Sequence, residues 1–118
     1  MDDSFTTLLR RAYQAQFSAI RRKLPDIGLS PGQPKVLDFL FDHDGCIQRD
    51  LAELCGIEPA TISRLVDKME GDGLLVRRPA PGCKRSLQLW LTDLGRARRL
   101  DFHAVRDQVE AVELAGFT

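Results

Sequence analysis

The sequence has little of what reactive or membrane-spanning proteins are made from. In 118 residues there are two histidines and three cysteines. Cys46, Cys55 and Cys83 lie 9 and 28 residues apart, which fits neither a paired disulfide framework nor the close cysteine pairs of a zinc site. With only His43 and His103 to add, the ligand count argues against a metal centre. There is no Gly-Lys-Ser/Thr, and the two histidines lack ligand spacing. Without a phosphate cradle or a metal cluster, no enzymatic activity and no cofactor are expected. No run approaches the roughly 20 apolar residues of a bilayer-crossing helix. The opening Met1-Asp2-Asp3-Ser4 is acidic where a secretory leader is basic, so a cytoplasmic protein without membrane contact is expected. Net charge is missing too, since 17 Lys+Arg face 17 Asp+Glu. That balance argues against a uniformly basic nucleic-acid coat protein, though not against a local basic face.

What is present is one domain's worth of chain, residues 1–118 at 43% hydrophobic, without repeats or low-complexity linkers. Phe5, Leu8, Leu9, Ala12, Tyr13, Phe17, Ile20, Leu24 and Ile27 recur at helical spacing and predict a long first helix over 5–27, stopping near Leu24-Pro25. A second helix is expected from Ser30, with Gln33 closing a capping box, Pro31 at the first helical position and Pro34 making the first turn irregular. It ends at Asp42-His43-Asp44-Gly45. Two short helical patterns follow, separated by Gly56-Ile57-Glu58. Then come two alternating runs, Leu74–Arg78 and Ser86–Leu91, flanking the Pro79–Arg85 turn as a hairpin with a basic tip. Leu87, Leu89 and Leu91 share one face of it, with Trp90 on the other. Thr92 caps a last helix over 93–115, whose apolar stripe is read as Leu94, Ala97, Leu100, Ala104, Val105, Val109 and Val112.

Ala52, Gly56, Ile62 and Leu65 stand where a helix-turn-helix needs a small residue at the crossing, a positive φ in the turn and apolar locks on the second helix. With the basic hairpin after it, this predicts a mainly helical winged helix-turn-helix, residues 30–92 forming the DNA-binding lobe and 74–91 the wing. Helical phase turns Ile62, Leu65, Val66 and Met69 inward and leaves a recognition face. Pro59 and Ala60 allow close approach to DNA, Thr61 and Ser63 supply hydroxyls, Arg64 suits a guanine and Lys68 a phosphate. Lys84 and Arg85 add the wing's charge. Asp67 needs a partner on a surface that faces phosphate, and Arg64 three residues earlier is the nearest candidate. Residues 60 to 99 hold nine Lys/Arg against four Asp/Glu, a net of +5, and the remainder carries −5. A cationic segment on an acidic body orients a protein toward double-stranded DNA.

Leu51-Ala52-Glu53, Gly56-Ile57, the run Thr61 to Glu70, Gly73-Leu74-Leu75, Arg78-Pro79, and Leu91-Thr92 with Gly95 resemble the signature of the MarR family of multiple-antibiotic-resistance regulators. The resemblance implies a bacterial transcription regulator, usually a repressor, working as a homodimer on a pseudo-palindromic operator, with recognition helices in successive major grooves and wings in the flanking minor grooves. It also implies release by a small, often aromatic, ligand at the junction of dimer helices and lobe, where Tyr13, Phe17 and Trp90 are the aromatic candidates. Some relatives sense oxidants through cysteine instead, and Cys83 beside Lys84 is the candidate here. Cys55 is read as core and Cys46 as a short strand or loop beneath the wing. Two departures stand out. The family's Asp-x-Arg at the wing tip reads Cys83-Lys84-Arg85, and members continue past Gly116-Phe117-Thr118 into a helix that completes the dimer interface. Operator symmetry requires two copies. The expected dimer surface is the first and last helices, where Phe5, Leu8, Leu9, Phe17 and the Leu100-Ala104-Ala111 side exceed what one small core covers. The competing reading is a winged helix that binds protein and not DNA.

Overall fold

A computed structural model describes the backbone of residues 3–116 and the side chains of residues 4–82 and 86–111. The chain runs α1 (Asp3–Lys23), a 3-10 turn (Leu24–Ile27), α2 (Gln33–Asp42), α3 (Gln48–Cys55), α4 (Pro59–Gly71), β1 (Leu75–Ala80), β2 (Cys83–Leu91) and α5 (Asp93–Gly116). This is the mainly helical winged helix-turn-helix expected. Among the described residues no helix is long and apolar enough to cross a membrane.

The core lies between the helix-turn-helix, α2 and the root of the wing. Leu37 and Leu40 of α2, Leu51 of α3, Ile62 and Met69 of α4 and Leu89 of β2 are each fully buried. Burial of each such side chain stabilises by about 1.5–3 kcal/mol, so the lobe is held by this cluster and not by the long helices. Gly56 (φ +64°) turns the chain out of α3 while the Gly56 and Ile57 N–H groups donate to Glu53 and Ala52 carbonyls.

Three expectations need correcting. First, α2 starts at Gln33 and not at Ser30. A helix beginning at Pro31 would put Pro34 at its fourth position, the first that must donate an N–H to the ladder. The chain instead places Pro34 in the first turn behind an N-cap Gly32 at φ +90°. Half of the capping box survives, since Gln33 Oε1 accepts the Ser30 N–H at 2.9 Å.

Second, the wing is longer and tighter. Its strands extend to Ala80 and from Cys83, so the connection is Pro81-Gly82 alone, with Gly82 at φ +76°. Register runs from Leu75 opposite Leu91 to Pro79 opposite Leu87, then jumps to Ala80 opposite Cys83, which throws Lys84–Ser86 out as a bulge. Leu89 and Leu91 are buried as expected, whereas Leu87 lies beyond the core edge and is exposed. Trp90, on the other face, covers Gly45 so closely that a Cβ there would sit 2.7 Å from the indole. The Gly45 N–H donates to Leu89 O and the Leu89 N–H to Cys46 O, with a further bridge between Ile47 and Gln88. Cys46 thus lies beneath the wing. Burial, reinforced by the Asp50 charge, pushes its thiol up to about 11. Cys55 is core, and burial raises its thiol as well.

Third, α5 turns a different face inward. Thr92 caps it as expected, its Oγ1 accepting the Gly95 N–H at 3.0 Å while donating to Gly73 O at 2.6 Å. Of the expected stripe, however, only Val109 is buried and Val105 half-buried. Leu94, Ala97, Leu100 and Ala104 are exposed, and the Val112 side chain lies outside the described residues. Gly95 is buried and Phe102 packs against the core, flanked by half-buried Arg99, His103 and Arg106. Periodicity marks an apolar face without saying whether the same chain covers it. α1 repeats the pattern, since it packs on α5 yet leaves Phe5, Leu8, Leu9, Tyr13 and Phe17 exposed.

Gly95 is what allows α5 to dock, because a Cβ there would collide with the Leu74 carbonyl oxygen. The neighbour is backbone and cannot swing aside. Gly95→Ala is therefore expected to destabilise the lobe by about 1–3 kcal/mol, read as a lowered urea midpoint with an unchanged slope.

Candidate nucleic-acid interface and ligand cavity

The recognition helix α4 follows its expected phase. Ile62, Val66 and Met69 are wholly buried, and Leu65 is half-buried against the same cluster. Pro59, Ala60, Arg64 and Lys68 are exposed, with Thr61 and Ser63 half-buried beside them. Arg64 has no ion pair among the described residues. Lys68 lies a loose 3.7 Å from Asp72 one turn on.

The partner of Asp67 is not Arg64. Arg77, from β1, places Nη2 2.8 Å from Asp67 Oδ1 and 2.9 Å from Glu70 Oε1, and its backbone N–H donates to Glu70 Oε2 at 3.2 Å. Local spacing favours Arg64, yet the strand leaving α4 brings a single guanidinium nitrogen of Arg77 back across the helix's C-terminal half to both carboxylates. The side-chain hydrogen bond from Arg77 holds the Glu70 carboxyl below its ordinary value, and the same contact raises the guanidinium. The wing thereby pairs with two carboxylates on the recognition helix and leaves Arg64 without an ion pair among the described residues.

The basic segment is also less uniform than its total suggests. Arg96 pairs with Asp44 at 2.7 Å, Arg98 with Asp101 at 3.1 Å and Arg99 with Asp38 at 2.9 Å. The first and third tie α5 to Asp44 and to α2, and the second lies within α5 itself. Arg64 and Arg78 are exposed and without an ion pair among the described residues. The side chains of Cys83, Lys84 and Arg85 lie outside the described residues, so only their strand position is fixed.

A cavity of about 350 Å³ opens between α1, α2 and α5. Phe17, Ile20, Leu24, Pro34 and Phe102 form its apolar wall, and Arg21, Lys35, Asp38 and Arg106 its charged rim. Of the three aromatic candidates the structure brings only Phe17 here, while Tyr13 points outward and Trp90 sits on the wing. Sequence reasoning missed the charged rim, whose members have no shared motif or spacing.

A tight helix-turn-helix, an exposed cationic helix face and a clipped two-stranded wing define a winged-helix protein. The model for the MarR family matches residues 27–86, about half of the chain, and the chain belongs to that family. It is 31% identical over 90 residues to the HTH-type transcriptional repressor NicR of Pseudomonas putida, covering 76% of this chain. The chain spans 57% of that repressor's length. Among solved structures, the transcriptional repressor CouR bound to a 23-mer DNA duplex is 31% identical, with a TM-score of 0.79 over 91% of this chain and 75% of that one. A structure on regulation of DNA binding of Bordetella bronchiseptica BpsR by 6-hydroxynicotinic acid is 27% identical, with a TM-score of 0.77 over 97% of this chain and 86% of that one.

The Arg77 contact with Glu70 carries a pH signature. A carboxyl held below its ordinary 4.5 contributes stability fully present above that pH and lost as pH falls through the lowered value. Arg77→Met is expected to cost about 1 kcal/mol near neutral pH, after discounting for solvent screening of these partly exposed groups. The gap to the parent should close on acidification below about pH 4, measured by urea unfolding across pH.

Proposed function

We propose that the protein is a sequence-specific regulator of transcription, a repressor that binds a pseudo-palindromic double-stranded DNA operator as a homodimer and is released by a small ligand. The observation that carries this reading is Arg64, an exposed and unpaired cation on α4 whose two acidic neighbours are taken up by Arg77. In this reading Pro59 and Ala60 let the helix approach the major groove and Thr61 and Ser63 hydrogen-bond within it. Arg64 reads a guanine, Lys68 meets a phosphate, and Lys84 and Arg85 on the wing bulge contact the minor groove. The DNA-bound CouR complex and the named repressor NicR support it.

The homodimer follows from the exposed apolar stripes. Phe5, Leu8, Leu9 and Tyr13 on α1 and Leu100 on α5 are each more than 60% exposed, uncovered apolar surface of the kind that marks an interface. Two copies joined there set the recognition helices at the one-turn spacing an inverted repeat presents. On this division 5–27 and 93–115 are dimerisation helices and 30–92 is the DNA-binding lobe. The cavity beneath them, with Phe17 on its wall, is the effector site in this reading, and the regulation of BpsR DNA binding by 6-hydroxynicotinic acid supports control by a small ligand.

Arg64→Ala is expected to cost about 1–3 kcal/mol of operator affinity and to relax the base preference at one position. Selection from a random DNA pool should recover an inverted repeat with one-turn half-site spacing. Binding that ignores salt, or no recovered repeat, would point instead to a protein partner. Sedimentation equilibrium at micromolar concentration should give twice the 13.3 kDa chain mass, and replacing Leu8 and Leu100 by Glu should return the single-chain mass.

A further inference from the structure

We infer that Arg49 of α3 is a DNA-phosphate contact: it holds the strand that runs between the major groove entered by α4 and the minor groove entered by the wing. The inference rests on the DNA-binding reading proposed above and adds to it a residue from a helix that reading leaves unused.

The cations of the lobe divide into paired and unpaired. Arg77 is tied to Asp67 and Glu70, and Lys68 stands near Asp72. Lys35, Arg49, Arg64 and Arg78 have no ion pair among the described residues. Lys35 lines the α1–α2–α5 cavity, while Arg64 lies on α4 and Arg78 on β1. Arg49 is exposed on the first turn of α3. A guanidinium there does nothing for α3 itself. It sits at the positive end of the helix dipole, which favours anions. Glu53 stands one turn on, at a spacing that allows a pair, yet the two make none.

Its place distinguishes Arg49 from other surface cations, because it borders two shallow hollows at once. One, of about 290 Å³, opens between the start of α3 and β2 and is lined by Gln48, Arg49, Ser86 and Leu87. The second, of about 300 Å³, runs from Arg49 along Gly56 and Ile57 to Pro59 at the start of α4. Arg49 therefore stands between the wing and the recognition helix. When α4 lies in a major groove and the wing in the adjoining minor groove, the sugar-phosphate strand separating the two grooves passes through this same interval.

Charge decides which hollow takes the phosphate. Glu53 and Glu58 line the second and would repel it. No acidic residue lines the first, where Gln48 and Ser86 are neutral and polar. That hollow lies at the root of the bulge carrying Lys84 and Arg85, so a phosphate held by Arg49 sets where the wing enters the minor groove. Phosphate contacts fix register and orientation on the duplex without reading sequence. Arg49 and Arg64 thus divide the work, one positioning the lobe and the other reading a base.

Fluorescence anisotropy of the intact chain on two short duplexes tests this, one of mixed sequence and one carrying the inverted repeat selected from the random pool. Arg49→Ala should weaken binding to both alike, by toward tenfold per protomer near about 0.1 M salt. The slope of log affinity against log salt should fall by about one per protomer. Base preference should stay that of the parent, in contrast to Arg64→Ala. Arg49→Lys, which keeps the charge, should restore the slope, and Arg11→Ala, which removes an exposed charge from α1, should keep it. A neutral methylphosphonate at the phosphate flanking the half-site should weaken the parent and leave Arg49→Ala unmoved. An unchanged slope in Arg49→Ala, or a methylphosphonate walk that weakens the variant wherever it weakens the parent, would overturn the contact. Salt-dependent binding by the parent would then leave the DNA reading standing. No salt-dependent binding of either duplex by the folded parent would overturn the contact and the DNA reading together.

Discussion

A two-stranded hairpin is at best marginally stable in water, and the side of this protein that carries the recognition helix depends on making one rigid. Three anchors do so. The Gly45–Ile47 segment hydrogen-bonds along β2 as a rudimentary third strand. Arg77 ties β1 to the recognition helix. Thr92 and Gly95 seat the start of α5 against the Gly73 and Leu74 carbonyls at the wing's root. Asp44 joins the first anchor to the third, accepting the Leu91 N–H at 2.9 Å and the Arg96 guanidinium at 2.7 Å. Helix-turn-helix and wing consequently move as one body.

The acidic residues of α4 have meaning in that frame. Asp67 and Glu70 on a surface turned to phosphate would repel it, yet they are the means by which the wing is positioned. The site's charge is therefore sorted more than summed, with cations near the core committed to structure and Arg64 and Arg78 left at the edge.

The features legible in the sequence are those whose physics is local. Gly56 between two apolar patterns, Thr92 before an acidic first turn, and the alternation through Leu89 and Leu91 each report a constraint satisfied within a few residues. The start of α2 was misread because two prolines compete for one position, and the ladder bond that decides between them is invisible in composition. The inward face of α5 escapes the apolar pattern because Phe102 and Val109 share it with Gly95 and the half-buried Arg99, His103 and Arg106, while most of the apolar stripe is exposed. Asp38 and His103 meet across 65 residues, and no short-range pattern announces such a pair. Asp67 shows the same limit, since the nearest cation in sequence lost to one delivered by the fold.

The chain measures 56 by 31 by 20 Å, and this slenderness has a mechanical consequence. A body so long acts as a lever. A turn of about 5° at one end carries the other by about 5 Å, more than the about 3.4 Å between successive bases on a strand. Hydrogen bonds to base edges tolerate only tenths of an ångström. A disturbance too small to repack any core layer is therefore, at the far end of such a lever, a full step out of register.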